Sequence, residues 1–159
     1  MPFEIERKFL VKTLPKNLGQ YSYKNISQGY LALDTDGTLV RLRRKGDKFF
    51  ETVKNGVGLV RSELEAEISA EQFETFWPAT EGKRLEKIRY EIPNEYGTIE
   101  LDIFGGKLEG LLLAEVEFVS AEAANSFVPL EWFGLEVTED LRYSNHGLAT
   151  EGKPGDFLR

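Results

Sequence analysis

The sequence predicts a mainly β fold with helical insertions, an antiparallel barrel or sandwich built as one domain. Apolar and charged residues alternate with period 2 through eight stretches, and turn-forming residues separate those stretches at short intervals. The chain has 159 residues, the length of a single domain, with 41% hydrophobic residues to build a core. It contains no internal repeat or linker that would divide it.

The alternating stretches place strands near 3–11, 27–33, 38–45, 48–54, 60–69, 84–92, 97–104 and 111–119. Gly46-Asp47 reads as a tight hairpin turn. Asp34-Thr35-Asp36-Gly37, Asn55-Gly56, Asn94-Glu95 and Gly105-Gly106 break the other strands. Ser69 and Gln72 form a capping box ahead of a helix at about 70–77, which Pro78 ends. Ser120 caps a short helix at about 121–127, a helical segment is expected around 14–19, and Thr138-Glu139-Asp140 caps further helix to about 149. The domain spans 1–150, with 151–159 expected as a loose end.

Composition excludes several chemistries. There is no cysteine and one histidine, His146, so thiolate sites, disulfides and His-rich zinc sites are ruled out. A bound metal must take oxygen ligands, which points to magnesium, manganese or calcium. The charged N-terminus has no apolar signal core, and the longest aliphatic run, Leu111-Leu112-Leu113-Ala114, is too short for a bilayer. A soluble, cytoplasmic protein that does not insert in a membrane is expected. A net charge of −7 argues against nucleic-acid binding, yet leaves room for a local cationic lining.

The charges carry most of the functional signal. Glu4/Glu6 with Lys8, Arg41/Arg43, Glu63/Glu65 with Glu67, Lys87/Arg89, Glu100/Asp102 and Glu115/Glu117 each fall at i, i+2, on one face of a strand. One such pair is ordinarily a solvated face with cross-strand ion pairs. Six strands with signs segregated by strand suit instead a cavity with a cationic wall for a polyanion and carboxylates for a metal. Arginine forks bind phosphate bidentately, lysines add point charges, and paired carboxylates can share hard divalent ions that clamp a phosphate and activate water.

Competing motifs are weaker. Gly56-Val57-Gly58 lacks the Gly-Lys-Ser/Thr of a P-loop, and no Gly-x-Ser-x-Gly elbow occurs. His146 reads as a surface residue near a helix end, and Trp77 and Trp132 as core or helix-packing residues.

Glu4-x-Glu6-x-Lys8 resembles the N-terminal signature of the CYTH domain, or triphosphate tunnel metalloenzyme, superfamily. Gln28-Gly29-Tyr30-Leu31, Val40-Arg41-Leu42-Arg43, Thr52-x-Lys54, Arg61-x-Glu63-x-Glu65, Lys87-x-Arg89-Tyr90, Glu100-x-Asp102-x-Phe104, Glu115-x-Glu117-Phe118 and Val137-Thr138-x-Asp140 follow in the family's order. The series is similar to the short bacterial single-domain branch. The resemblance implies a closed eight-stranded antiparallel β-barrel forming a tunnel, with a few flanking helices. It implies Lys8, Arg41, Arg43, Lys54, Lys87 and Arg89 as phosphate ligands and Glu4, Glu6, Glu115 and Glu117 as main metal ligands. Glu63, Glu65 and Asp102 would support metal or water, or orient the cations. Tyr30 and Lys54 would tune substrate choice, and Glu4, Glu6, Lys8, Lys54 and Tyr30 make up the catalytic set. The implied cofactor is magnesium or manganese, two ions, with hydrolysis of a small-molecule triphosphate, foremost inorganic tripolyphosphate, by a metal-activated water. A monomer or homodimer is expected. A class IV-type adenylate cyclase, a thiamine triphosphatase and a non-catalytic polyphosphate or nucleotide binder are the alternatives on the same lining. Glu67 has no assigned role.

Overall fold

A computed structural model describes residues 3–35, 37–55 and 60–155. Among the described residues nine strands follow in order: β1 (Phe3–Val11), β2 (Tyr23–Leu33), β3 (Leu39–Lys45), β4 (Lys48–Asn55), β5 (Val60–Ile68), β6 (Arg84–Asn94), β7 (Gly97–Phe104), β8 (Leu112–Glu117) and β9 (Phe133–Glu136). The described residues also form three short helices: α1 (Ala70–Phe76), α2 (Ala121–Ser126) and α3 (Asn145–Glu151).

All strand pairings are antiparallel, in the order β5-β4-β3-β2-β6-β7-β8-β1-β9. The first eight strands curl into a tunnel. Its seam is short: Phe3, Glu4 and Ile5 of β1 stand opposite Ser62, Arg61 and Val60 of β5. β9 is one strand more than the eight expected. It lies outside the ring on β1, pairing Phe133 with Val11 and Glu136 with Phe9. At four residues it is too short to show a period in sequence, and its place is set by burial of Phe133 rather than by alternation.

The hairpin between β3 and β4 turns at Gly46, whose φ of +62° lies in the left-handed region that glycine enters without strain. β2 starts earlier than expected because Tyr23, Lys24 and Asn25 already pair with Tyr90, Arg89 and Ile88 of β6. The segment around 14–19 forms only a 3-10 turn at Leu18–Gln20. The capping box at Ser69 and Gln72 is present, and Ser120 caps α2 by accepting from the Ala123 N–H. The C-terminal helix is broken in two: Asp140 caps a 3-10 turn at Leu141–Tyr143, and Ser144 then caps α3 through the Gly147 N–H. No helix among the described residues is long and apolar enough to cross a membrane. Asp36, Gly56-Val57-Gly58 and the end of the tail, 156–159, lie outside the described residues.

The apolar core sits on the outer face of the sheet, inverted relative to a packed barrel. Phe9, Ile99, Leu101 and Val116 are buried there beneath α2 and β9, with Phe127 and Phe133. Across the ring, Phe73 of α1 packs on Phe49 and stacks on Trp77 at 4.7 Å. Trp132 meets Phe133 edge-on at 4.6 Å. Both tryptophans are packing residues. With aliphatic side chains turned outward under the helices, the inward face is left for the charged ones.

Candidate active site

Inward side chains recur at i, i+2 on each strand, and the register grades them along the tunnel. At one end, Leu10, Leu85, Phe104 and Leu113 cluster with Leu148 and Ala149 of α3 and close the tunnel with apolar packing. Two residues further along the same strands stand Lys8, Lys87, Asp102 and Glu115, and then Glu6, Arg89, Glu100 and Glu117. The polar stretch surrounds a cavity of about 190 Å³ to which all eight ring strands contribute.

One flank is tightly paired. Arg89 donates from Nε and Nη2 to the two oxygens of Asp102 at 2.8 and 2.9 Å, and Lys87 Nζ stands 2.8 Å from Asp102 Oδ2. Burial pushes the Asp102 carboxyl up, but Arg89 and Lys87 outweigh it and hold the group below its ordinary value. Burial lowers Lys87 to about 7 against the pull of Asp102. Asp102 is thus saturated by cations. Neither it nor Lys87 forms part of the cavity wall, whereas Glu100, 3.3 Å from Arg89, does.

The opposite flank is loose. Arg41 Nη2 stands 3.4 Å from Glu65 and 3.8 Å from Glu63, and Lys54 is 3.8 Å from Glu63. Among the described residues, Arg41 Nε is buried without a hydrogen-bond partner. A buried guanidinium N–H left unsatisfied is costly, so it marks a place for an acceptor. Arg43 is lowered to about 9, by burial first and then by Arg41 and Arg89, and its Nε donates to Gln28 Oε1 at 2.9 Å. Three arginines facing one small cavity repel each other, and a polyanion between them relieves that repulsion.

The carboxylates gather on neighbouring strands. Glu6 stands opposite Glu117, and Glu115 lies between Lys8 and Glu100 in the register. Burial raises Glu115, but Lys8, Arg89 and Lys87 overcome this and keep it well below the usual carboxylate range, so it is ionised at neutral pH. Glu100 is raised, by burial first, with Arg89 opposing. Among the described residues no three acidic or histidine side chains converge tightly enough to hold an ion. The donor set fits a hard divalent cation by its chemistry: hard carboxylate oxygens, at least one held ionised, beside a cationic wall.

The structure therefore brings Glu6, Lys8, Tyr30, Arg41, Arg43, Lys54, Glu63, Glu65, Arg89, Glu115 and Glu117 together around one cavity. Lys87 and Asp102 stay behind it. The Glu4 side chain lies outside the described residues, and Glu67 is exposed on β5 beyond the cavity. The expectation of His146 as a surface residue is corrected. The turn at Ser144 carries Ser144, Asn145 and His146 into the cavity wall, with His146 edge-on to Tyr30 at 6.3 Å. From this segment the Tyr143 carbonyl accepts from Lys8 Nζ and Asn145 Oδ1 from Lys87 Nζ, both at 3.0 Å. A second chamber of about 270 Å³ adjoins the first. It shares Glu6, Lys8, Lys54 and His146 with it and adds the apolar Val137 and Leu141.

A polar β-tunnel with an apolar exterior, arginines on one wall and carboxylates on the other, defines the class of the triphosphate tunnel, or CYTH, fold. No family model matches the chain. It is 51% identical over 147 residues to an inorganic triphosphatase of Nitrosomonas europaea, covering 92% of this chain and 96% of that protein. It is 40% identical over 152 residues to an inorganic triphosphatase of Acetivibrio thermocellus, covering 91% and 92%. A crystal structure of an inorganic triphosphatase superposes with a TM-score of 0.73 at 47% identity, over 97% of this chain and 99% of that one. Within the CYTH superfamily, the chain belongs to the family of these inorganic triphosphatases.

Proposed function

We propose that this chain hydrolyses inorganic tripolyphosphate to diphosphate and phosphate, in the cytoplasm, as a monomer or homodimer. The observation that carries this reading is the buried, unpartnered Arg41 Nε on a wall shared with Arg43 and Arg89. A cavity of about 190 Å³ suits a small chain of phosphates. Arg41, Arg43 and Arg89 hold the non-bridging oxygens through their remaining guanidinium N–H groups, while Lys8 and Lys54 add point charges. Tyr30 offers its hydroxyl from the same wall. Lys87 acts from behind by keeping Asp102 charged, and Asp102 orients Arg89 rather than binding metal.

Glu4, Glu6, Glu115 and Glu117 would hold magnesium or manganese, two ions, with Glu63 and Glu65 in support. When bound, the metal offsets phosphate charge and lowers the pKa of water. The chain's own residues do the rest. The cations keep the bridging oxygen in line with an incoming water, and the apolar end excludes other solvent. Water oxygen bonds to the terminal phosphorus, the bridging P–O bond breaks with its electron pair leaving on diphosphate, and the water proton departs on the carboxylate side.

The test is phosphate release from tripolyphosphate, ATP and thiamine triphosphate with Mg²⁺ or Mn²⁺. Tripolyphosphate is expected to be cleaved well above ATP, and comparable rates would sink the assignment. Glu6→Gln and Glu117→Gln are each expected to lower metal-dependent turnover by about 100-fold or more. An unchanged rate removes that residue from the metal site. A second reading, an organic triphosphate, is favoured by the partly apolar outer chamber beside Val137 and Leu141, which could take a substituent on the end phosphate. Cyclic AMP or thiamine diphosphate among the products would support it.

A further inference from the structure

Gln28 is fully buried on the inward face of β2, two residues from Tyr30 and directly opposite Arg43. Both ends of its amide are engaged. Arg43 Nε lies 2.9 Å from Oε1, and Nε2 lies 3.1 Å from the Tyr30 hydroxyl. A guanidinium only donates, which fixes the amide orientation: oxygen toward Arg43, nitrogen toward Tyr30. The Tyr30 oxygen is therefore an acceptor on the Gln28 side, and its own hydrogen must point elsewhere. Among the described residues that hydroxyl has no other partner, and Tyr30 lines the cavity.

The backbone here has little freedom. A Cβ at Gly29 would lie 2.6 Å from Thr80 Cβ, so β2 is pressed against the turn at Trp77–Thr80 just where Gln28 and Tyr30 face inward.

We propose that Gln28 is a positioning residue, which ties Tyr30 to Arg43 and commits the Tyr30 hydroxyl to donate its hydrogen bond into the cavity, toward a phosphate oxygen. Arg43, Gln28 and Tyr30 form one directed chain of donors, each bond polarising the next. This inference rests on the proposed binding of a phosphate chain in the tunnel. It assigns a role to a neutral residue that does not itself line the cavity.

The experiment is a double-mutant cycle of Gln28→Met and Tyr30→Phe, read as kcat and KM for tripolyphosphate. Gln28→Met is expected to lower kcat by about 10- to 100-fold, near the loss in Tyr30→Phe, with KM changed by less than about fivefold. The double variant is expected to be no slower than Tyr30→Phe alone, because both changes remove the same donation. A residue with a merely structural role would lower the melting temperature and multiply its loss with that of Tyr30→Phe. Multiplying losses, or a wild-type kcat in a folded Gln28→Met protein, overturn the proposal. Should Gln28→Met not fold, Gln28→Asn, too short to reach both partners, takes its place in the same cycle. Calorimetric binding of metal-free tripolyphosphate separates this inference from the functional reading. If the wild type binds but does not hydrolyse, the triphosphatase assignment falls. The proposal then stands on non-additive weakening of binding by the two changes and falls on additive weakening.

Discussion

On one flank of the tunnel Asp102 accepts from Arg89 at 2.8 and 2.9 Å and stands 2.8 Å from Lys87, with all three side chains at most 6% exposed. On the other flank Arg41 stands 3.4 Å from Glu65 and 3.8 Å from Glu63, and those carboxylates are 39% and 22% exposed. Both flanks pair arginine and lysine with acids, and composition alone would not tell them apart. The first is a finished network whose members satisfy one another. The second is held loosely, with a donor to spare at Arg41 Nε. A rigid flank can keep its geometry through turnover, while a loose one can trade its protein partners for those of a ligand.

Removing Asp102 should strain this contrast most. Asp102→Ala leaves Arg89 and Lys87 buried without their counter-charge and is expected to lose about 3–5 kcal/mol of stability. Urea unfolding measures it, and a loss under about 1 kcal/mol would remove the distinction between the flanks. Arg41→Met comes next, with the opposite profile. Tripolyphosphate binding should weaken by about 10- to 100-fold while stability shifts by less than about 1 kcal/mol. A larger stability loss than binding loss would show Arg41 to be structural. The acid limb gives a third test. Asp102 and Glu115 both have folded pKa values below their unfolded ones, so the stability they lend is complete above about pH 4.5 and is lost as pH falls through the folded values. The melting temperature should fall below about pH 4, less steeply in Asp102→Asn. The smallest effect belongs to the loose flank: Glu63→Gln should change stability by under about 1 kcal/mol, with the difference vanishing in high salt.

Much of this was legible in the sequence because it is written at short range. The i, i+2 charges of β1, β3, β5 and β8 could only share a face. The Gly46 turn and the Ser69–Gln72 capping box are contained within a few residues. Which charges are free and which are saturated was not legible. Arg41 and Arg89 look alike in the chain, and only the register that sets Arg89 against Asp102 divides them. Ser144, Asn145 and His146 were missed for a related reason. Their approach depends on a segment that reaches Lys8 across 135 positions, a contact no local pattern encodes. Gln28 sat in plain view within a recognisable motif, but a neutral amide carries no charge signal, and its role emerges only from who lies at each end.

The position of β1 at the seam has a consequence for the order of assembly. β1 meets β5 at one end, β8 along its middle and β9 at the other. A ribosome makes β1 ahead of the other eight strands, yet Lys8 finds Glu115 and Tyr143 only after more than a hundred further residues have emerged. Hairpins such as β3–β4 can form as they appear, while β1 must wait. Such distant pairings close slowly because the loop entropy is paid before the contacts form. The enclosed cavity is thus among the last features to exist, and a nascent chain halted before β8 would carry the arginines of β3 and β6 without a closed tunnel around them.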